Sequence, residues 1–234
     1  MEMKHEKNHM PLRYSNRGFT LIELMIALVI SLLALAAIYS TFQAQHQSYQ
    51  VQSETADMQQ NIRAAMYYME REIRMAGSDP FNTGNFSITA ATPTSITFTL
   101  DINDGTNGRP DGTLNGNETI TYAFADSDGD GVNDRLDRNG QPVAQNIDAV
   151  DFVYLDGNSP PNVIPFAGGA VSGPNLGQIR SVEITIVART NDRLLFGITN
   201  NRAYQNQRGT QILSAQADNV SRRTLTTQIL CRNL

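Results

Sequence analysis

The stretch Gly18-Phe19-Thr20-Leu21-Ile22-Glu23 lies where a short polar leader meets a long apolar segment. From Phe19 to Phe42, Glu23 carries the only charged side chain, and most other residues are Leu, Ile, Ala, Val or Met. A charged side chain inside a membrane-spanning helix costs about 2.5–3.5 kcal/mol, so an acid at this depth usually serves a function. Glu23 is therefore the first candidate functional residue.

The apolar segment, residues 19–42, is long enough to cross a membrane, because roughly 20 apolar residues span a bilayer. The leader, residues 1–18, has four basic and two acidic side chains and a net charge of +2. This predicts a single-pass inner-membrane protein with a cytoplasmic N-terminus and an exported C-terminal part. A secretory signal peptide is the alternative, but its apolar core runs about 7–15 residues before a small-residue cleavage site. The greater length favours an anchor whose processing signal precedes it, at Gly18.

The position of Glu23 also has a purely structural interpretation. Thr20 and Glu23 have the spacing of a capping box, in which each side chain bonds to the backbone amide of the other residue. This would explain an acid three residues after a threonine. It explains neither the Gly18-Phe19 junction nor the basic leader.

The residues from Gly18 to Leu24 resemble the processing motif of type IV prepilins and type II secretion pseudopilins. The resemblance implies that a prepilin peptidase cleaves after Gly18 and N-methylates the new first residue, Phe19. It also implies that Glu23 pairs with the terminal amine of a neighbouring subunit in the filament. A buried carboxylate is costly alone and tolerable when paired, so this pairing would favour assembly in one register.

One long helix is predicted for residues 19–76, which contain no Gly or Pro. Its first half, residues 19–42, is apolar all round, as expected of a transmembrane segment. Gly77 to Pro80 then provide stop signals. An amphipathic second half that packs on a folded head is predicted from an apolar stripe at Val51, Met58, Ile62, Met66, Met69 and Ile73.

The head, residues 77–234, has a different pattern. Alternation with a period of two, typical of strands, occurs at residues 95–100, 119–124 and 182–186. Residues 148–155 and 224–230 are further strand candidates. Stretches rich in turn residues separate them, at 101–116, 126–140 and 156–177. The chain is therefore predicted to be α+β, with a long N-terminal helix packed on an antiparallel β-sheet head. The resemblance implies the same pilin-like fold.

The order of helix and strands resembles that of PilW-type minor pilins and of the larger minor pseudopilins of type II secretion. Residues 179–185 and 222–225 also resemble this group. The resemblance implies a structural minor pilin that primes type IV pilus assembly near the tip, first in the inner membrane and then in a periplasmic and extracellular filament. Its partners would be other minor pilins, the major pilin, the prepilin peptidase and the inner-membrane assembly platform. A type II secretion pseudopilin, a tip adhesin and a DNA-uptake pilin are the alternatives.

Composition argues against catalysis and nucleic-acid binding. The chain has 18 basic and 23 acidic side chains and a net charge of −5, or −7 without the leader; nucleic-acid binding needs clustered positive charge. The three histidines, His5, His9 and His46, lie in the leader and on the helix. The head therefore cannot form a Ser-His-Asp, Cys-His or ordinary zinc site. We expect no enzymatic activity, no required cofactor and no nucleic-acid partner.

Cys231 is the only cysteine, so no internal disulfide can form. Many pilins close a C-terminal loop with a disulfide, and this chain departs from that pattern. In an oxidising compartment Cys231 could cross-link two subunits. A buried small apolar residue at the end of the last strand is the favoured interpretation.

One stretch, residues 126–137, has the spacing of an EF-hand-type calcium loop, with acids at positions 1, 3, 5, 9 and 12 and Gly at position 6. Two features differ from that pattern, since position 12 is Asp and the flanks are predicted strands. An acidic hairpin turn is the alternative. If calcium binds, it orders the loop. The candidate ligands are Asp126, Asp128, Asp130, the backbone carbonyl of Val132, Asp134 and Asp137.

Overall fold

A computed structural model describes residues 18–102, 109–191 and 199–234. The chain forms two compact units, one ending at Tyr49 and one running from Gln50 to Leu234. The first helix, α1 (Leu21–Arg74), begins in the first unit and ends in the second. All described residues of the first unit are exposed. By length and composition, α1 contains a segment that could cross a membrane.

The end of α1 is set by Gly77. This residue has a φ of 77°, which glycine adopts without strain. Its N–H donates to the carbonyl of Thr99 at 2.9 Å, and a Cβ here would lie 2.3 Å from the side chain of Leu234. The chain therefore turns at Gly77 next to Thr99, and the first strand begins at Ile88.

The second unit carries four antiparallel sheets among the described residues. A five-stranded sheet has the order β1-β2-β3-β4-β5, and a three-stranded sheet has the order β12-β9-β6. Two short hairpins, β7-β8 and β10-β11, complete the set, and a one-turn helix α2 (Gly173–Leu176) follows β8. The strands are β1 (Ile88–Ala91), β2 (Ser95–Thr99), β3 (Thr119–Ala125), β4 (Arg135–Arg138), β5 (Gln141–Gln145), β6 (Ile147–Leu155), β7 (Phe166–Ala167), β8 (Ala170–Val171), β9 (Ser181–Arg189), β10 (Tyr204–Gln205), β11 (Gln211–Leu213) and β12 (Arg222–Leu230).

The main core lies between the second part of α1 and the two larger sheets. Met69 and Ile73 on the helix are fully buried, and they belong to the same apolar cluster as Phe98 of β2 and Ile184 of β9. The predicted apolar stripe is confirmed from Met58 to Ile73, whereas Val51 is only partly buried. The predicted α+β fold, a long helix packed on antiparallel sheet, is confirmed.

A polar contact also fixes the helix to the five-stranded sheet. The Oε2 atom of Glu72 accepts hydrogen bonds from the hydroxyl of Tyr122 at 2.6 Å and from Nε of Arg138 at 2.8 Å. Burial, with the adjacent carboxylate, raises the pKa of Tyr122 well above its ordinary value. Tyr122 therefore stays a neutral donor, and Glu72 joins α1 to β3 and β4.

Cys231 is buried in the core directly after β12, as the sequence interpretation favoured. Its burial raises the pKa of the thiol to about 12. A protonated, enclosed thiol reacts slowly with oxidants and other thiols. The folded subunit is thus poorly suited to cross-linking through Cys231.

Candidate functional sites: the helix start and the acidic loop

The capping box at the start of α1 is formed. The Thr20 N–H and the Thr20 hydroxyl each donate to Oε2 of Glu23 at 2.9 Å, and the Glu23 N–H donates to Oγ1 of Thr20 at 3.2 Å. Both donors of Thr20 use the same carboxylate oxygen. A carboxylate has two oxygens with about four lone-pair sites, so Oε1 keeps the capacity to accept a bond from another chain.

The peptide bond between Gly18 and Phe19 lies just before the helix, in exposed backbone. The Phe19 side chain is 89% exposed, and the space where a Cβ of Gly18 would stand has no heavy atom within 4 Å. Exposed, non-helical backbone is the kind that peptidases cut most readily. The described residues therefore place the predicted cleavage point, the predicted methylation position and Glu23 within one short segment.

Comparison with known proteins supports two features of the chain separately. Residues 13–39 match the family model for the prokaryotic N-terminal methylation motif, which covers the junction and the apolar segment. No curated protein gives a significant match. The chain is similar in structure to a type IV-like pilin from Thermus thermophilus, with a TM-score of 0.50 over 76% of this chain and 98% of that chain.

The sequence identity to that pilin is 12%, so the likeness concerns the fold alone. The chain combines an N-terminal methylation motif with a type IV pilin-like fold. The family model covers the end of the leader and the apolar start of α1. The structural likeness covers 76% of the chain. About three quarters of the chain thus shares the fold of a type IV-like pilin, although no curated protein matches its sequence.

The acidic loop between β3 and β4 brings three of the predicted calcium ligands together. One carboxylate oxygen from each of Asp126, Asp128 and Asp130 lies within 4.8 Å of the others. Asp126 accepts bonds from the N–H groups of Gly131 and Gly129, both at 2.8 Å, and these bonds lower the pKa of its carboxyl. Asp126 is therefore a charged acceptor beside two further carboxyl groups, and such oxygen ligands are the kind that calcium binds.

The other predicted ligands are placed differently. The carboxylate of Asp134 accepts bonds from the N–H and hydroxyl of Ser127, at 2.9 and 2.7 Å, and so closes the base of the loop. The expected ligand at position 12, Asp137, requires correction. It lies in β4 with its side chain 7% exposed, and its Oδ1 is 2.8 Å from Nε of Arg135, in ion-pair contact but not aligned for a hydrogen bond.

Asp137 lies outside the loop because β4 starts inside the stretch predicted as a loop. Its pairing with β3 sets Asp137 opposite Ala123 and Arg135 opposite Ala125, so the free part of the loop ends before Arg135. A twelve-residue calcium loop needs its last ligand to fold back on the first. Here the strand holds that residue against an arginine instead.

Proposed function

We propose that this chain is a minor pilin of the PilW type, a structural subunit that takes part in priming type IV pilus assembly. The observation that carries the proposal is the methylation motif over residues 13–39 on a chain with a type IV pilin-like fold. The single acid of the apolar segment, Glu23, stands four residues after the first residue that cleavage at Gly18 would leave. Subunit assembly, rather than catalysis, accounts for an acid in that position.

Cleavage after Gly18 removes the leader and creates a new amine on Phe19, which remains a cation after a single methylation. The apolar helix then holds one positive and one negative group near its start. Within one subunit, Thr20 already satisfies Oε2 of Glu23. The remaining oxygen is available to the amine of a neighbouring subunit, and pairing relieves the cost of holding a charge in an apolar environment.

The rest of the chain suits a structural subunit. The head, residues 77–234, contains no histidine. Polar side chains between α1 and the head, such as Glu72 and Arg138, bond to one another and fix the helix to the sheet. The proposed location is the inner membrane with a cytoplasmic N-terminus before processing, and then the periplasmic and extracellular filament. Other minor pilins, the major pilin and the assembly platform are the proposed partners.

Processing gives the first test. Coexpression of the full chain with an active prepilin peptidase is expected to yield a product that starts at N-methylated Phe19, as read by mass spectrometry of the N-terminal peptide. A Gly18→Val variant is expected to keep residues 1–18, because a branched side chain then stands at the scissile bond. Coexpression with an inactive peptidase is the matched control. A wild-type chain that keeps its leader beside the active enzyme would refute the proposal.

We also propose that calcium orders the acidic loop through Asp126, Asp128 and Asp130. Asp134 and the carbonyl of Val132 are candidate additional ligands within the loop. Calcium accepts carboxylate and carbonyl oxygens in flexible geometry, and water completes its shell where protein ligands are few. The ion would hold the three side chains together through their oxygens and would do no chemistry.

The calcium proposal predicts a thermal shift of the full chain in detergent. Extracellular calcium modules bind at roughly 10⁻⁴–10⁻³ M. Calcium at about 100 times such a Kd raises the free energy of unfolding by about 2.7 kcal/mol. For a chain of this size, Tm is then expected to be roughly 5–10 °C higher in calcium than in EGTA. Replacing Asp128 and Asp130 together by Asn keeps acceptors for the loop backbone and is expected to abolish the shift. Asp156→Asn, in another exposed acidic turn, is the control that keeps it. An equal Tm in calcium and EGTA for the wild-type chain would remove the site.

A further inference from the structure

The C-terminal strand β12 forms one edge of the three-stranded sheet. All nine of its residues, Arg222 to Leu230, pair with β9 in a single unbroken register. At 3.2–3.4 Å per residue, such a strand presents about 30 Å of backbone edge. No other strand among the described residues pairs with its outer side.

Two hydrogen bonds show which backbone groups point outward. The Cys231 N–H donates to the carbonyl of Arg180, and the Thr190 N–H donates to the carbonyl of Ser221, both at 2.9 Å. In an antiparallel pair, residues that exchange hydrogen bonds alternate with residues that do not. The odd-numbered residues of β12 therefore bond to β9. The N–H and C=O groups of the even-numbered residues face away from the sheet, and no hydrogen bond among the described residues uses them: these residues are Arg222, Thr224, Thr226, Gln228 and Leu230.

The other edges of the two larger sheets are protected. Strand β1 has a register shift and lies against β8 and α2, and β5 contains Pro142 and pairs with a register shift. Strand β6 has a register shift near Ile147 and lies beside β11. Bulges, prolines and covering elements are the ordinary means of preventing edge-to-edge association. Strand β12 has neither Pro nor Gly nor a bulge.

Charge does not protect β12 either. The guanidinium of Arg222 is turned inward and buried, in ion pairs with Asp148 and Asp218. Arg223 is exposed and lies at one end of the strand, and Leu230 at the other end is 60% exposed. Between them Thr224 and Gln228 are exposed, and Leu225, Thr226 and Thr227 are partly buried. The edge is thus uncharged in its middle, with a cation at one end and an apolar side chain at the other.

We propose that the outer edge of β12 binds an extended segment of a different exported subunit, which adds a fourth strand beside β12. Outward N–H and C=O groups at every second residue match an extended backbone and supply most of the binding free energy in strand addition. The side chains specify the partner segment: an acid at the Arg223 end, small or β-branched residues beside Thr226, and an apolar residue against Leu230. This proposal rests on the proposed function, because it assumes that both subunits are anchored in one membrane.

A second copy of this chain fits the edge less well. Two β12 strands would pair antiparallel about a two-fold axis, and such an axis stands perpendicular to the sheet. It therefore reverses the direction of every element that lies along the sheet, including the part of α1 from Met58 to Ile73 that packs there. The two helix segments would run in opposite directions, whereas anchors in one membrane enter it from the same side. A segment of another subunit has no such constraint.

The test uses Thr226, whose N–H points outward. Thr226→Pro removes that N–H and places a ring at the edge without breaking a bond to β9, and proline is tolerated at such edge positions. Thr226→Val keeps the N–H and the branched shape and is the matched control. Full-length variants are expressed in cells that make type IV pili. The amount of each variant in sheared pili is measured by immunoblot and divided by the amount of major pilin. The Pro variant loses one backbone bond to the partner and places its ring against the partner strand, so it is expected to be depleted in pili by about tenfold, which corresponds to about 1.4 kcal/mol. The Val variant is expected to match wild type.

Hydrogen exchange of the wild-type chain keeps the proposal testable if the Pro variant does not fold. Amides of even-numbered β12 residues are expected to exchange fast in the detergent-solubilised subunit and slowly in pili, while odd-numbered amides are slow in both.

Equal incorporation of a folded Thr226→Pro, or fast even-numbered amides in pili, would overturn the proposal. Disulfide-linked dimers of Thr226→Cys in the isolated protein would assign the edge to a second copy and would also overturn it. A wild-type chain that is absent from the pili would reject the proposed function, and this proposal with it.

Discussion

Glu23→Gln is expected to be cleaved after Gly18 and yet to be almost absent from assembled pili. Glutamine keeps the length of the side chain and an oxygen that can accept from Thr20, so the capping contact at the start of α1 survives. It cannot neutralise the amine of a neighbouring subunit. Removing one partner of a buried ion pair costs about 3–5 kcal/mol, which corresponds to a loss of incorporation of roughly 100-fold or more.

Incorporation is measured by immunoblot as the ratio of the chain in sheared pili to the chain left in membranes. Glu54→Gln is the matched control, because Glu54 lies on the same helix beyond the apolar segment. It is expected to leave the ratio unchanged. If Glu23→Gln reached the filament as well as wild type, Glu23 would be only a helix cap, and the assembly role given to it would be wrong.

Met69→Ala is expected to have the largest effect on the stability of the head. Met69 is fully buried where the helix meets both sheets. Truncating a buried methionine costs about 2–5 kcal/mol, a large part of the 5–15 kcal/mol that stabilises a typical domain. The measurement is denaturant unfolding of the full chain in detergent, followed by near-ultraviolet circular dichroism of the tyrosines, since the chain has no Trp.

Tyr68→Ala is the control for this prediction. Tyr68 is the adjacent residue on α1 and is 52% exposed. Its removal is expected to change the free energy of unfolding by less than about 0.5 kcal/mol, as for most surface positions. Comparable losses for the two variants would mean that the helix does not pack on the sheets through the Met69 face.

Local sequence patterns predicted the parts of the fold that depend on local periodicity. The helical stripe ending at Ile73 and three alternating segments, observed as β2, β3 and β9, repeat a simple period over five or more residues. The two further strand candidates are observed as β6 and β12. Strands β4 and β5 were not predicted, because their residues are dominated by charge, turn formers and Pro142. Their strand conformation depends on pairing with β3 rather than on their own pattern.

The functional residues also divide into those indicated by local spacing and those brought together only by the fold. Thr20 and Glu23 are three residues apart, and their capping contact follows from spacing alone. Glu72 accepts bonds from Tyr122 and Arg138, which lie 50 and 66 residues later in the chain. No local sequence pattern indicates these contacts. The acidic loop is an intermediate case. Its first three acids follow from spacing, whereas the position of Asp137 is fixed by a strand that the spacing does not reveal.

The open edge of β12 could not be read from sequence either. Residues 224–230 are a predicted strand, but composition and pattern do not tell an edge strand from a central one. Only the sheet order and two flanking backbone bonds show which amides point outward. The sequence does show that residues 222–230 lack a proline, which protects another edge of the sheets. The absence of a bulge is seen only in the structure.

If this chain is processed and built into a filament as a pilin subunit, its N-terminus in the filament is fixed. Mass spectrometry of the N-terminal peptide of the chain recovered from purified pili measures this. The expected peptide starts at N-methylated Phe19, with residues 1–18 absent. A chain in the pilus that still carries its leader, or one that starts with an unmodified residue elsewhere on α1, would contradict it.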